Sequence, residues 1–179
     1  MRPMLLDPDL GFSTRRLNRQ RVLEVLMRRG PISRADLAKR TRLSPPTVST
    51  LVDELVNDIG LLREVGIGPS SGGRPPVMLA FNAEFGQLIG IDIGSRRLRV
   101  MLTDLQGAVL ARHEERTDAG GQASTMKQIH RGIKQVYAAA GRNVRKLLAI
   151  GVAAPGMTDV RRGVIISAEH THFEQIETA

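Results

Sequence analysis

Apolar residues change their spacing part-way along the chain. Between residues 13 and 60 they recur every three or four positions, the period of a helix buried along one side. Val22, Leu23, Leu26 and Met27 give the inner face of a first helix, capped by Ser13 or Thr14 and stopped by Gly30-Pro31. Leu37 and Ala38 belong to a short second helix starting at Ser33, where Ser-Arg-Ala-Asp sets Asp36 at the place a capping box usually gives to Glu or Gln. Residues 40–43 make a tight connection. Ser44 caps a third helix, and Pro45 suits its first position because the fixed φ and missing N–H cost nothing there. Val48, Leu51, Val52, Leu55 and Val56 then follow at i, i+3, i+4, i+7 and i+8, opposite Pro46, Ser49, Thr50 and Asp53. Gly60 ends the helix.

Beyond Gly60 the texture becomes strand-like. Residues 61–65 and 77–81 flank GIGPSSGGRPP (66–76), which reads as a long hairpin loop rather than an interdomain linker. A boundary is expected near residues 82–86. Residues 87–94 then read as a buried strand, and 97–103 alternates with Leu98, Val100 and Leu102 on one face. A turn at 104–107 leads into a third strand through His113. Met126, Ile129, Ile133, Val136 and Ala140 mark the inner stripe of a helix over about 124–140, and 147–153 reads as a fourth strand. The expected organisation is two-domain: an arm at 1–12, three helices and a hairpin at 13–83, an α/β half-domain with a mixed sheet at 86–168, and an unassigned tail at 169–179.

Three short helices, a four-residue turn and a hairpin, in that order, describe a winged helix-turn-helix. The third helix is narrow and small-residued in its first turns, so it can enter a major groove and bring Thr47, Ser49 and Thr50 to base edges. Helix N-termini at Ser33 and Ser44 offer N–H groups to phosphates, with Arg34 beside the first of them. Arg74, in the Gly-rich loop, is placed to enter a minor groove.

Charge sharpens this picture. The 179 residues hold 26 Lys+Arg against 18 Asp+Glu, and ten of the basic but only two of the acidic ones fall between positions 13 and 50. The whole surplus of +8 therefore lies in the helix-turn-helix, while the sixteen residues of each sign elsewhere cancel. Double-stranded DNA is the partner such a footprint fits. With no Cys, the chain has no disulfide framework, thiol chemistry or Cys-ligated zinc. The opening residues carry an apolar run of only three, unlike a signal peptide, and the longest apolar stretch, 147–157, is broken by Pro155 and too short to span a bilayer. A soluble cytoplasmic protein is expected. His170 and His172 lack convergent ligands and read as part of an exposed tail rather than a metal pair.

SRADLAKRTRLSPPTVSTLVDEL (33–55), GLLREVG (60–66) and SSGGRPPVMLAFN (70–82) resemble the helix-turn-helix of the ROK family of repressors and sugar kinases, itself similar to MarR-type winged helices. Where many relatives carry Arg after Thr-Val-Ser, this chain has Thr50. IGIDIGSRRLRVMLTDLQGAVL (89–110) and IGVAAPGMTDVRRGVI (150–165) resemble the opening half of the family's sensor or catalytic domain, of the actin-like ATPase (ribonuclease H-like) fold. That resemblance implies a phosphate-loop-like turn at Asp92, Gly94 and Ser95. A strand simply ending in a tight turn is the competing reading, and Arg96 and Arg97 stand where the kinase pattern has Thr-Lys. The family's catalytic Asp and its zinc motif are not found in this sequence, so no general base, metal or cofactor is expected and the chain reads as truncated. The resemblance implies a homodimeric regulator, a repressor of sugar-metabolism genes, with a sugar or sugar-phosphate effector in full-length relatives. An ATP-dependent sugar kinase with a DNA-binding head is the alternative, and a remnant whose incomplete sheet exposes an edge strand is the third reading.

Overall fold

The computed structural model describes residues 14–69, 75–118, 120–141, 144–159, 164–167 and 176–177. The chain divides into two compact units, Met1–Ala83 and Glu84–Ala179.

The first unit opens with α1 (Thr14–Arg29), which lies against α2 (Arg34–Thr41) and β3 (Val77–Phe81). It buries Val22 and Leu26, while Leu23 is half-buried and Met27 is 46% exposed. The expected inner face is thus narrower: an i, i+4 pair suffices for the groove, and Met27 looks outward. Gly30 ends α1 at φ 72° with its N–H on the Leu26 carbonyl, 3.2 Å away.

Ile32–Ser33 forms β1, pairing antiparallel with β3. Two residues carry no period, so the pattern of apolar positions did not reveal this strand. Ser33 also caps α2. Its hydroxyl accepts from the Asp36 N–H at 3.1 Å and donates to the Asp36 carboxylate at 2.7 Å. The shorter Asp therefore closes the box on the hydroxyl itself. Leu37 and Ala38 point inward as expected. The turn to the next helix rests on Arg42 at φ 57°, the one non-glycine residue with positive φ among those described.

Helix α3 (Pro45–Asp53) continues into a π-helical turn, Glu54–Ile59. Val48, Leu51, Val52 and Leu55 are buried, but Val56 is only half-buried because the wider turn carries it off the stripe. Gly60, at φ 84°, closes the end by donating to the Leu55 carbonyl at 3.0 Å. β2 (Leu62–Ile67) pairs antiparallel with β3, giving a sheet of order β1-β3-β2. Leu62, Leu79 and Phe81 bring the sheet's apolar face to the helices.

The second unit is built on β4 (Gln87–Ile93), β5 (Arg97–Asp104), β6 (Val109–Arg116) and β7 (Leu147–Ala153), in the order β6-β5-β4-β7. In this sheet β4 and β7 run parallel and the other neighbours antiparallel, and α4 (Gly121–Ala140) connects β6 to β7. The mixed sheet expected from the strand pattern is present. Ile89, Ile91, Ile93, Leu98, Val100, Leu102 and Ala111 meet Ile129, Val136 and Ala140 in one core. The buried stripe of α4 also contains Thr125, Gln128 and Gly132, whereas Met126 and Ile133 are half-buried. The helix has turned so that Gly132 meets Val100; a Cβ there would sit 2.6 Å from Val100 Cγ2. Gln128 is satisfied in the interior, donating to the Arg116 carbonyl at 2.7 Å and accepting from the Asp118 N–H at 2.9 Å. β8 (Met157–Asp159), β9 (Val164–Ser167) and β10 (Ile176–Glu177) form a separate antiparallel sheet. No helix among the described residues is long and apolar enough to cross a membrane.

Candidate nucleic-acid interface

The first turns of α3 form an exposed, hydroxyl-rich surface. Ser44, Pro46 and Thr50 are exposed, and Thr47 and Ser49 are half-buried. Ser44 Oγ accepts from the Thr47 N–H at 3.3 Å and shares a hydrogen bond with Thr47 Oγ1 at 2.8 Å. The cap thereby satisfies one helix-end donor and holds both hydroxyls at the tip. Thr50 Oγ1 donates to the Pro46 carbonyl at 3.1 Å, so its hydrogen is committed and its lone pairs and methyl remain for a partner. That combination suits a base-edge donor or a thymine methyl.

The basic residues separate into two groups. Arg15 pairs with Glu54 at 2.9 Å and Arg19 pairs with the same carboxylate. Arg28 pairs with Glu24 at 2.9 Å and Lys39 with Asp36 at 3.7 Å. Arg34, among the expected DNA contacts, directs its guanidinium to α3. Its Nη1 meets Asp53 Oδ1 at 2.8 Å and donates to the Ser49 carbonyl at 3.3 Å. Arg21, Arg29, Arg40 and Arg42 are exposed and make no ion pair among the described residues. Arg40 and Arg42 flank the turn into α3, and no single-residue signal distinguished them from the other arginines. Glu54 is held below its ordinary 4.5, first by the Arg15 hydrogen bond and further by Arg19. Arg74 lies outside the described residues, as do His170 and His172.

In the second unit the turn after β4 is used internally. Gly94 donates its N–H to the Arg97 carbonyl at 3.0 Å and accepts from Thr117 Oγ1 at 2.6 Å. A Cβ at Gly94 would lie 2.8 Å from the Arg97 oxygen, so glycine is required by close approach. Asp92 faces Arg99 at 3.0 Å, and Arg99 and Arg97 share Glu114. Ser95 is exposed on the bend. At the turn where a phosphate-loop-like site is expected, the Asp92 carboxylate thus meets Arg99 and the Gly94 N–H is bonded to the Arg97 carbonyl. Among the described residues no group of three or more His, Asp or Glu is arranged to hold a metal.

Comparison with known proteins agrees with both units. A winged helix-turn-helix DNA-binding family matches residues 15–58, and the ROK family matches residues 88–178, half of the chain. The chain belongs to the ROK family. This ROK protein is 32% identical over 153 residues to the xylose repressor of Bacillus spizizenii, covering 86% of this chain and 40% of that protein. It is 29% identical over 160 residues to the DNA-binding transcriptional dual regulator NagC of Escherichia coli K12, covering 89% and 39%. A solved structure of a ROK family transcriptional regulator, a homologue of the E. coli MLC protein, superposes with a TM-score of 0.70 at 25% identity, over 89% of this chain and 40% of that one. The chain thus spans about 40% of the length of the relatives it matches.

Proposed function

We propose that this protein is a sequence-specific DNA-binding regulator that represses genes of sugar use. It acts in the cytoplasm as a homodimer and, through its sensor domain, answers to a sugar or sugar phosphate. The observation that carries the reading is the tip of α3. Ser44, Thr47 and Thr50 stand exposed or half-exposed there, beside Arg40 and Arg42, which are exposed and make no ion pair among the described residues. Relatives named as a xylose repressor and as a DNA-binding regulator support the sugar and operator assignments. Contacts of this kind require no metal or nucleotide. A kinase reading draws no support from the Asp92–Arg97 turn, where the Asp92 carboxylate meets Arg99 and the Gly94 N–H is bonded to the Arg97 carbonyl.

In a dimer on a palindromic site, the two copies of α3 would lie about 34–36 Å apart to meet successive major grooves. The test is a titration against duplexes enriched from a randomised pool, repeated at several salt concentrations. Affinity is expected to fall linearly on a log–log plot as salt rises. No binding to any duplex at low salt would end this reading.

A further inference from the structure

We propose that Arg34 and Asp53 form a positioning pair that sets the angle of α3 on α2, so that Arg34 acts on DNA only through the recognition helix. The inference rests on the DNA-binding reading and concerns how the helix-turn-helix keeps its geometry.

Three observations carry it. First, one guanidinium nitrogen of Arg34 reaches both Asp53 Oδ1, at 2.8 Å, and the Ser49 carbonyl, at 3.3 Å. Arg34 is the first residue of α2, whereas Ser49 and Asp53 lie one turn apart on α3. A single side chain therefore spans the two helices at two points of α3. Second, the Arg34 side chain is only 33% exposed, although it sits at the start of a surface helix. Its stem is packed and its head is directed, which is the state of a tie rather than of a solvated charge. Third, the next residue repeats the pattern from the other side. Glu54 receives Arg15 and Arg19 from α1. Consecutive carboxylates at the end of α3 are thus held by α2 and by α1, at the point where the helix passes into its π-helical turn. A helix pinned at its C-terminal end from two directions has little freedom to swing its N-terminal hydroxyl surface.

Simple electrostatics makes the opposite forecast. If Arg34 gripped a phosphate, Asp53 beside it would only repel DNA, and neutralising Asp53 would tighten binding. As a positioning pair, loss of either partner loosens α3 and weakens recognition of the preferred sequence. Each phosphate contact adds about 0.9 to the slope of log affinity against log salt, so the slope separates the two roles.

The experiment uses the full chain and two probes: a duplex enriched by the wild-type chain from a randomised pool, and an unrelated duplex. Arg34→Ala and Asp53→Asn are each expected to weaken binding to the enriched duplex by about threefold, the scale of a partly exposed pair. Binding to the unrelated duplex and the salt slope should stay unchanged, and the double variant should be no worse than either single one. Arg34→Lys should recover most of the loss only while Asp53 is present. Circular dichroism at the assay temperature confirms that each variant is folded. A slope reduced by about 0.9 in Arg34→Ala, or tighter binding by Asp53→Asn, would overturn the pair while leaving the DNA-binding reading intact. If the wild-type chain enriched no duplex, that reading would fall and the pair with it.

Discussion

Ser44 caps α3 as its place in the sequence leads one to expect, whereas the roles of Arg42 and Glu54 depend on the fold. Ser44 satisfies the Thr47 N–H at the tip of α3. Ser44→Ala is expected to cost about 1 kcal/mol, read from chemical denaturation. Arg42 holds φ 57° between α2 and α3, which an L-residue reaches at a cost of roughly 1–2 kcal/mol. Glycine at this position loses that strain but adds freedom to the unfolded chain, so Arg42→Gly should stabilise by about 0.5 kcal/mol while weakening DNA binding at low salt. Glu54 titrates below its ordinary 4.5 because Arg15 and Arg19 favour its charged form. A carboxyl whose folded pKa is depressed contributes stability above its unfolded value, and that contribution vanishes as pH falls through the folded value. Thermal melts should therefore show wild type more stable than Glu54→Gln at neutral pH, with the gap closing as pH drops below 4.5. A gap that persisted in acid would mean the arginines tie α1 to this turn by packing alone.

Two elements of the second unit show how packing redirects a pattern. Helix α4 keeps Ile129, Val136 and Ala140 of the expected stripe buried but turns Met126 and Ile133 partly outward, bringing Gly132 against Val100 and Gln128 to the Arg116 carbonyl and the Asp118 N–H. Gly132→Ala puts a methyl 2.6 Å from Val100 Cγ2 and 3.3 Å from His113 Cδ2, and is expected to destabilise this unit by about 1–3 kcal/mol. Strand β7 is the reverse case. Its register sets Ile150 beside Ile89 and Val152 beside Ile91, yet both are nearly half exposed because α4 lies across β5 and β6. An apolar strand at the sheet's edge invites association. Ile150→Lys should reduce light scattering of concentrated solutions without altering the melting of the first unit.

At the scale of the whole molecule, the two units have separate interiors, each with its own apolar residues. Gly132→Ala should accordingly lower one thermal transition and leave low-salt binding to an unrelated duplex unchanged. Charge is organised on the same plan. The basic surplus of the helix-turn-helix is partly neutralised by carboxylates that knit its helices, leaving Arg21, Arg29, Arg40 and Arg42 without ion pairs among the described residues. The salt slope of binding should thus be smaller than ten basic residues would suggest.

Helix caps, breakers and the stripe from Val48 to Leu55 are local, so the amino-acid order alone determined α2, α3 and the two wing strands, as an apolar run did for β4 and alternation for β5. The sequence also determined where the charge lies. It did not determine what that charge does. Whether an arginine reaches solvent or a carboxylate depends on residues far along the chain: Arg15 and Arg19 meet Glu54, and Arg34 meets Asp53. Likewise β1 exists only because β3 offers it a partner, and the buried edge of α4 follows from a glycine's fit against a strand. Periodicity records which residues prefer to be covered. Only the tertiary structure decided what covers them, because pairing and packing join positions that no local pattern links.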